Sequence, residues 1–522
     1  MKILHFDRIF KYINIEVVCF IITLTSIILF SLSSLFPSSF LAISVISLDL
    51  CFISTFINAA YNLKKRINIF YILFLGSFFV FLLGGINVCF FENQSLQDIY
   101  YNMANYSDDS LKYAILSILI SLTFLNIGFS TFSFFYLKKA LSKIYLKFQS
   151  QIFKRTQNKF ALLFHRLSTF DHNPKKIYYI RLSSMLSFYF TSIFSLVVVL
   201  EKVLFVLQNS YVELYSVFFT ALPLLVHKLA QTNTLSFYVL LCTFPSKKAT
   251  FPALILYALI NSLSLLGGER MGACVAILMV FAYIIFRHFW DKQHGQTGWL
   301  KRWHIIILCF LLPILLAGLN ALNSIRNDIS LTNRSFWDEL KGFLVNIGGS
   351  FNVIAIAKDK ENLLPPTNIN YTFGPIIEFF QSGTIAQFLG GRSPYTGIDA
   401  ALYGNNLGAT LSYLHLGADS YLAGNGIGSS YIAELFIDYG LIGVLIYNYF
   451  LGLLFKKLSF FSTKNVFFNA LICYCIRYIL IAPRSFAMDW FPNLISLFNL
   501  LTLFALYAFS FFLFFIHKHW RR

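Results

Sequence analysis

Long apolar runs, separated by short polar or basic segments, recur along almost the whole chain. Runs of roughly 18–25 residues are long enough for a helix to cross a hydrocarbon layer of roughly 30 Å. The pattern therefore predicts about 12 transmembrane helices. These lie near residues 14–35, 40–61, 69–91, 112–137, 183–206, 213–245, 250–267, 271–287, 304–323, 431–455, 466–483 and 491–516.

The composition leads to the same fold class. Of the 522 residues, 57% are hydrophobic and only 12% are charged, whereas soluble globular domains carry roughly 25% charged residues. A soluble protein of this length does not have enough interior to bury so much apolar surface. We therefore expect an all-α, polytopic membrane protein.

The sixth predicted span, 213–245, is long for one helix and contains Pro223. If the segment crossed the membrane twice, Lys247 and Lys248 would lie on the outer side. Every later loop would then lie on the opposite side of the membrane. We interpret the segment as one bent crossing, because proline removes a helix hydrogen bond and kinks the chain.

The net charge of +18 raises the question of nucleic-acid binding. The basic residues, however, border the spans, and the longest basic stretch, 138–181, lies between two of them. The loops 36–39, 92–110 and 207–212 contain no Lys or Arg. Such alternation is typical of a topology signal. It predicts a multi-pass membrane protein with both termini in the cytoplasm and no nucleic-acid partner; the resemblance described below implies the bacterial inner membrane.

One outer loop is far longer than the others. It divides the chain into spans one to nine (1–323), a large periplasmic loop (324–429) and spans ten to twelve (430–522). Within the loop, 336–357 and 373–390 have helix-like apolar spacing, which favours helices lying in the membrane interface. Loops of this length are usually functional or disordered, and the many aromatic residues favour a folded, functional loop.

Cysteine usage does not indicate a metal or disulfide framework. All eight cysteines lie in apolar spans, and Cys473-x-Cys475 has poor ligand spacing for zinc. We therefore predict neither a metal nor a cofactor.

Several arginines lie on the predicted outer side, where positive charge is normally scarce. Guanidinium groups suit a diphosphate because they offer planar, paired donors and stay charged. The alternative for each arginine alone is contact with solvent or a lipid headgroup. For Arg270, an ion pair with Glu269 is a further alternative. The five are Arg270, Arg326, Arg334, Arg392 and Arg484.

Arg477 is predicted to lie in the middle of a span, where it needs a partner. Asp49, Glu434 and Asp438 are the candidate carboxylates, and we favour a buried structural ion pair.

The most informative segment runs from Gly424 to Gly443. Glycines lead into a predicted helix on which Ser430, Glu434 and Asp438 are four residues apart and share one face. Glu434 is either stabilised by the helix dipole alone or acts as a general base facing the outer loop.

This segment resembles the O-antigen polymerase (Wzy) family and, distantly, the O-antigen ligase superfamily. The ligase signature is His-[Asn/Ser/Gln]-x9-Gly-x-x-[Gly/Thr/Tyr], and Ser430-x9-Gly440-x-x-Gly443 fits it from the second position. Ser429 stands in place of the histidine, which favours a polymerase over a ligase. An Arg-x10-Gly motif described for such polymerases is absent from the outer side, since Arg392 to Gly404 is one residue longer.

The resemblance implies a multi-helix, lipid-sugar-dependent (GT-C-like) glycosyltransferase that polymerises repeat units at the periplasmic face. The substrate would be an undecaprenyl-diphosphate-linked oligosaccharide in membrane lipid, and a chain-length regulator and a flippase would be possible partners. The arginines would stabilise the leaving diphosphate without a metal. Glu434, with Asp419 as second choice, would remove the hydroxyl proton. Ser429 and Ser430 would contact substrate.

Two other function classes compete with the polymerase. A lipid-linked oligosaccharide flippase or other transporter would carry charged residues deep in many spans, whereas here they concentrate at the outer boundary. A sensor would use the outer loop to bind a ligand. The ligase is the nearest enzyme alternative.

Overall fold

The structure, a computed structural model, describes residues 15–100, 103–130, 174–209, 218–267, 270–326, 334–366, 370–460, 463 and 465–520. Every regular element in these ranges is helical. Ten helices among them are long and apolar enough to cross a membrane. The prediction of an all-α polytopic membrane protein is confirmed.

The helices fall into two compact units that interleave along the chain. Unit 1 comprises Met1–Lys138, Lys301–Lys457 and Ile479–Asp489, and unit 2 comprises Lys139–Leu300, Leu458–Tyr478 and Trp490–Arg522. The division into two sets of spans and an intervening loop stays a prediction, because it describes membrane crossing and not compactness.

Unit 1 contains most of the helices. They are α1 (Ile15–Ser33), α2 (Phe40–Arg66), α3 (Ile69–Phe78), α4 (Gly84–Phe91), α5 (Leu96–Ile99), α6 (Asp108–Phe129), α11 (Arg302–Arg326), α12 (Phe336–Gly348), α13 (Ser350–Asp359), α14 (Gly374–Ser382), α15 (Thr384–Phe388), α16 (Gly397–Leu402), α17 (Leu407–Leu416), α18 (Ala418–Leu422) and α19 (Tyr431–Phe455). A π-helical turn, Phe79–Leu83, joins α3 to α4.

Unit 2 contains the remaining helices. They are α7 (Pro174–Gln208), α8 (Leu224–Cys242), α9 (Lys247–Leu263), α10 (Arg270–Gln293), α20 (Val466–Ile481), α21 (Trp490–Ile495) and α22 (Leu497–Trp520). The last residues of α20 belong to unit 1.

The helices α6 and α19 pack closely because small residues line their contact. A Cβ atom added to Gly128 would collide with the carbonyl of Tyr449, and one added to Gly452 would collide with that of Leu125. Small residues allow such close approach between membrane helices. This pairing fixes α19, which carries the candidate site, against the core of unit 1.

Buried amides connect α1, α2 and α6. Asn58 Nδ2 donates to Asn126 Oδ1 at 2.7 Å, and Asn126 Nδ2 donates to Thr23 Oγ1 at 3.2 Å. Interhelical hydrogen bonds of this kind hold helices together where apolar contact alone does not favour association. The polar residues of these spans therefore have a structural role.

One stretch of the large loop differs from its prediction. Each of the ten candidate spans coincides with a predicted span except Phe336–Asp359, which we expected at the membrane interface. In the structure, every residue of α13 from Ser350 to Ala357 is buried, and α13 packs against α6 and α19. The apolar spacing predicted the helix but not its position, because a helix packed inside a protein and one lying in an interface share the same periodicity. A crossing here would change the side of later loops, so the orientation of the chain stays a prediction.

The predicted kink in the sixth span is wrong. Pro223 lies just before α8, at its N-cap position, and residues 218–223 are not helical. Proline fits the start of a helix, where its missing N–H bond is not needed. Glu201 holds the segment before α8, because its carboxylate accepts hydrogen bonds from Thr220 Oγ1 at 2.7 Å and from the backbone N–H of Ala221 at 2.8 Å.

Candidate active site

The motif segment forms the start of α19 and a sharp bend within it. At Gly440 the backbone has φ 63° and ψ −163°, which splits the helix into Tyr431–Tyr439 and a longer second half. This region of φ/ψ space is essentially restricted to glycine. A Cβ atom on Gly443 would collide with the Tyr439 side chain. The two motif glycines are therefore required by the bend.

Glu434 lies in the short half of α19 and is completely buried. Its Oε1 accepts a hydrogen bond from Ser429 Oγ at 2.7 Å, and its Oε2 accepts one from the backbone N–H of Ala487 at 2.8 Å. Tyr447, in the long half, donates to the carbonyl of Ala487 at 2.7 Å. Residues on both sides of the bend thus fix the short segment that contains Arg484 and Ala487.

The two serines before α19 differ in their contacts. Ser429 and Ser430 are both buried, but only Ser429 contacts Glu434. Ser430 is the N-cap residue, and its hydroxyl has no hydrogen-bond partner in the structure. A buried hydroxyl without a partner costs free energy, so Ser430 Oγ is available to a substrate group.

Asp438 lies on the same helix face as Glu434, as the spacing predicted. Its carboxylate accepts hydrogen bonds from the backbone N–H groups of Tyr371 at 3.2 Å and Thr372 at 2.6 Å. It therefore holds the segment before α14 against α19.

Asp489 is a carboxylate that the sequence analysis missed. It lies two residues after Ala487, and its charge interacts with that of Glu434. Burial raises the pKa of Asp489 above its ordinary value. Perturbed carboxyl groups occur often at functional sites, so Asp489 is a further candidate for the site. Its position in the same short loop as Arg484 was the available sequence signal.

Arg484 is the predicted arginine that lies closest in sequence to Ala487 and Asp489. Its Nη1 donates to the carbonyl of Ile347, in α12, at 3.1 Å. Because Glu434 and Tyr447 both hold Ala487, they also limit the positions that the Arg484 backbone can adopt. The structure thus links Ser429, Glu434 and Arg484 in one connected region of unit 1.

Arg392 forms an ion pair with an acidic residue between α13 and α19. Its Nη2 lies 2.7 Å from both carboxylate oxygens of Glu378, and its guanidinium carbon lies 4.0 Å from the Tyr395 ring centroid. Burial raises the pKa of Glu378, but hydrogen bonds from Arg392, Asn405 and Ser382 outweigh it and leave the pKa below its ordinary value. Arg392 therefore joins α14 to the segment that follows α15.

Arg334 also has a carboxylate partner. Its Nη1 lies 3.5 Å from Oε1 of Glu339, and Glu339 in turn accepts a 2.8 Å hydrogen bond from Asn320. Among the predicted arginines, Arg334 and Arg392 thus form ion pairs within the protein.

The other predicted site residues lie apart or are only partly described. Arg326 ends α11 and Arg270 begins α10, and the side chains of both lie outside the described residues. Arg270 belongs to unit 2, whereas the others belong to unit 1. Asp419 is exposed at the start of α18. Its role as a proton acceptor stays a prediction.

The predicted carboxylate partner of Arg477 is wrong. Asn87 donates to Asp49 at 2.9 Å, while Glu434 and Asp438 accept the hydrogen bonds described above. The guanidinium carbon of Arg477 instead lies 5.5 Å from the ring centroid of Tyr474, in the same unit. Its position in the middle of a span was correct, but the choice of partner depended on tertiary packing.

The comparisons with known proteins decide the family. A family model described as O-antigen polysaccharide polymerase Wzy matches residues 13–515. The chain belongs to this family. No curated protein and no solved structure matches the chain.

Membership in the Wzy family confirms the resemblance read from Ser430-x9-Gly440-x-x-Gly443. Wzy proteins are glycosyltransferase-type polymerases that act on lipid-linked oligosaccharide repeat units. With the ten candidate spans, the family identifies a multi-pass membrane enzyme. We therefore favour an enzyme over the transporter and sensor alternatives.

Within the described residues, no cluster of three His, Cys, Asp or Glu side chains is arranged to hold a metal ion.

Proposed function

We propose that the protein polymerises repeat units of O-antigen, or of a related surface polysaccharide, at the periplasmic face of the bacterial inner membrane. It transfers the growing glycan from undecaprenyl diphosphate to a lipid-linked repeat unit. The observation that carries the proposal is the region linking Ser429, Glu434 and Arg484 in a chain of the Wzy family.

The reaction exchanges one C–O bond for another. A hydroxyl oxygen of the new repeat unit bonds to the anomeric carbon of the growing glycan. The bond from that carbon to the diphosphate oxygen breaks, and the diphosphate leaves with the electron pair. The hydroxyl proton passes to a protein base. Catalysis therefore needs a proton acceptor and positive charge beside the leaving group.

Glu434 is our candidate for the proton acceptor. Each of its oxygens accepts one hydrogen bond in this structure, which leaves a lone pair on each for a substrate proton. The Ser429 hydroxyl is the partner better able to move, because it needs only a side-chain rotation, whereas the Ala487 N–H belongs to the backbone. Asp419 and Asp489 are the alternative acceptors.

Arg484 is our first candidate for contacting the diphosphate. Its segment is held by Glu434 and Tyr447, which supports placing the leaving group near the base. Arg334 and Arg392 have carboxylate partners, so we assign them mainly to holding the outer loop. Arg270 and Arg326 stay diphosphate candidates, and Ser430 is a candidate for a sugar hydroxyl.

The proposal extends to the setting of the enzyme. Both termini face the cytoplasm, the arginines act without a metal, and a chain-length regulator and a flippase are the expected partners. These points rest on the charge pattern of the loops and on the family resemblance.

Purified protein offered undecaprenyl-diphosphate repeat units, with no other acceptor, tests the reaction. We expect a ladder of lipid-linked glycans on a gel and release of undecaprenyl diphosphate in equal proportion to the bonds formed. An enzyme that joined long glycan only to a separate acceptor would be a ligase. Movement of unchanged repeat units across reconstituted vesicles, without a ladder, would support a transporter.

A further inference from the structure

A cavity of about 430 Å³ lies between α1, the start of α2 and α6, all in unit 1. Its volume falls within the range of about 300–1,000 Å³ that is typical of ligand pockets. All three helices are candidate membrane spans, and hydrophobic side chains make up most of the cavity wall. Among the described residues that line it, Lys112 is the one charged side chain. The cavity is separate from the candidate active site, because none of the described residues bonded to Glu434 lines it.

The serine hydroxyl groups in the cavity wall are engaged by the chain around them. Ser31, Ser33 and Ser34 each donate to a backbone carbonyl of α1 three or four residues earlier, at 2.9, 2.6 and 3.0 Å. Ordered water needs about 2–4 polar partners, and these hydroxyl groups have already given up their hydrogens. We therefore expect the cavity to take a hydrocarbon chain rather than water or a sugar.

One face of α6 places a positive charge at the end of an apolar stripe. The face consists of residues four positions apart, which share one side of a helix, and all of them line the cavity: Lys112, Leu116, Ile120 and Phe124. The lysine is exposed near the start of α6, and the three apolar residues that follow are partly buried. At 1.5 Å per residue, the stripe is about 18 Å long. An amphiphile with an anionic head and a hydrocarbon tail has the same order of charge and apolar surface.

Lys112 can bind an anion at the end of this stripe. Its Nζ donates to Asp109 at 3.1 Å and lies 5.9 Å from the ring centroid of Phe40, which also lines the cavity. An ammonium group has three donors. The Asp109 side chain is 84% exposed, so the pair is a surface ion pair that contributes little. A phosphate group beside the cavity can therefore compete for the lysine.

The charged end of the stripe lies at the same end of unit 1 as the candidate base. Near the start of both helices, the ring centroids of Tyr113 in α6 and Phe436 in α19 lie 5.8 Å apart. Further along both helices, Asn448 Nδ2 donates to Ser121 Oγ at 3.0 Å. The two helices therefore run parallel, and their first turns are level with each other. Packed helices have axes about 8–10 Å apart, so the short half of α19 is one helix away from the lysine.

The residues of α19 that meet these neighbours project to different sides. Glu434 bonds to the segment that contains Ala487, whereas Phe436 contacts α6 through Tyr113. Residues two positions apart on an α-helix are separated by about 200° around its axis. Arg484, our candidate for the leaving diphosphate, belongs to the segment on the Glu434 side. The cavity therefore offers a second place for a lipid carrier, on the other side of the same helix.

We propose that the cavity holds the isoprenoid chain of the acceptor, the lipid-linked repeat unit, and that Lys112 pairs with its diphosphate. Polymerisation joins two lipid-linked molecules, and they differ in what happens to the diphosphate. The donor releases its diphosphate, whereas the acceptor keeps its own throughout the reaction. Two lipid sites are therefore needed, and the one without the candidate base suits the carrier that takes no part in the bond exchange. The acceptor assignment rests on the proposed function, whereas the lipid-diphosphate site does not.

Thermal unfolding of the full chain in detergent tests whether a lipid diphosphate binds. The probes are geranylgeranyl diphosphate, inorganic diphosphate and geranylgeraniol. We expect geranylgeranyl diphosphate to raise the melting temperature most, because a ligand that binds only the folded state stabilises it and this probe supplies both chain and charge. The other two probes should each give a smaller shift. An equal shift with geranylgeraniol would exclude a role for the charge, and an equal shift with inorganic diphosphate would exclude a role for the cavity.

Variants then connect the shift to the cavity. Lys112→Gln should weaken the binding of geranylgeranyl diphosphate at least about tenfold, and Lys112→Arg should retain much of it. Ile120→Trp fills the middle of the stripe and should weaken the binding of both geranylgeranyl probes. The matched control is Ile46→Trp, which places the same side chain at an exposed position of α2 outside the cavity wall and should leave binding unchanged. Asp109→Asn removes the carboxylate that competes for the lysine and should not weaken binding.

Glycan transfer tests the assignment to the acceptor. Preformed lipid-linked glycan serves as the donor at a fixed concentration, and the repeat unit is offered with or without its lipid carrier. Lys112→Gln should raise the KM for the lipid-linked acceptor about tenfold with little change in kcat, because the lost ion pair is the same before and during the reaction. The difference from the unmodified protein should disappear with the carrier-free acceptor. A loss of equal size with both acceptors would overturn the acceptor assignment.

Two results would overturn the lipid site itself. One is the absence of any shift with geranylgeranyl diphosphate. The other is a shift that persists unchanged in Lys112→Gln and Ile120→Trp. Because the binding assay needs neither glycan nor turnover, its failure is distinguishable from failure of the polymerase proposal. Intact binding without a glycan ladder would contradict the polymerase and leave the lipid site standing.

Discussion

Glu434 in unit 1 and Arg477 in unit 2 are both ionisable groups within candidate membrane spans, but their surroundings differ. Glu434 has a donor for each carboxylate oxygen, one from a side chain and one from the backbone. Arg477 lies among tyrosines, and its buried Nε has no acceptor. The first group is satisfied by the protein, and the second is not.

The difference separates a charge whose oxygen atoms both have protein partners from a charge with an unpaired atom. A charged group with protein partners at every atom fixes the segments that supply those partners. Breaking such an arrangement is costly, because it leaves buried groups unpaired. A buried charge with an unpaired atom is itself costly, so removing it should not destabilise the protein. Four predictions test this distinction, and they are ordered from the largest expected change in stability to the smallest.

Replacing Glu434 with leucine should cause the largest loss of stability. It leaves the Ala487 N–H and the Ser429 hydroxyl buried without acceptors, at a cost of about 1–3 kcal/mol for each group. Thermal unfolding should show a clear fall in melting temperature. Glu434→Gln keeps one acceptor oxygen and should lose less. Equal melting temperatures for Glu434→Leu and the unmodified protein would mean that the carboxylate does not hold the 482–489 segment.

The bend in α19 should depend on glycine at position 440. Gly440→Val places a β-branched side chain at a positive φ that such residues rarely adopt, which should cost about 1–3 kcal/mol. The matched control is Gly318→Ala in α11, where an added Cβ meets no atom within 4 Å. That change should be neutral or slightly stabilising, because alanine favours a helix more than glycine does. Similar melting temperatures for the two variants would contradict the assignment of the bend.

The motif shows how far the sequence predicts this region. The four-residue spacing of Ser430, Glu434 and Asp438 was sufficient to place them on one helix face, and the structure confirms that placement for Glu434 and Asp438. The second partner of Glu434 was not predictable, because Ala487 is 53 residues away and contributes only its backbone N–H. Backbone donors leave no pattern in side-chain chemistry.

The environment of Arg477 was unpredictable for a related reason. Its position in a span followed from hydropathy, but its surroundings depend on helix packing that no local pattern encodes. The carboxylates considered from the sequence have partners of their own. Similarly, the periodicity of α13 predicted a helix without distinguishing an interior position from an interfacial one.

The ion pair between Glu378 and Arg392 should give a smaller, pH-dependent effect. Because the folded-state pKa of Glu378 lies below its ordinary value, about 4.3, the pair's full contribution is present above that pH. The contribution should disappear as the pH falls through the lower, folded-state pKa. We expect it to be roughly 1 kcal/mol, since both side chains are partly exposed.

The measurement is the melting temperature at neutral and acidic pH. Glu378→Gln should be less stable than the unmodified protein at pH 7, and the difference should shrink in acid. A difference that stays constant across this range would exclude the ionised pair as its cause.

Arg477→Gln should leave the melting temperature unchanged or slightly higher. The change removes a buried charge for which no counterion lies among the described residues, and such a charge is costly to bury. Arg287→Gln, which breaks a buried ion pair in the same unit, should instead cost about 3–5 kcal/mol. If Arg477→Gln destabilised the protein as much as Arg287→Gln, Arg477 would be structural and the comparison with Glu434 would fail.

The most direct test of the account is the glycan ladder made by the purified Glu434→Gln variant from undecaprenyl-diphosphate repeat units. The variant should first be shown to be folded by its melting temperature, and the unmodified protein should be run beside it. We predict a ladder from the unmodified protein and a rate of extension lower by about 10²–10⁴-fold in the variant, as expected for loss of a general base. A ladder formed at an unchanged rate by the folded variant would contradict the role of Glu434 in the reaction.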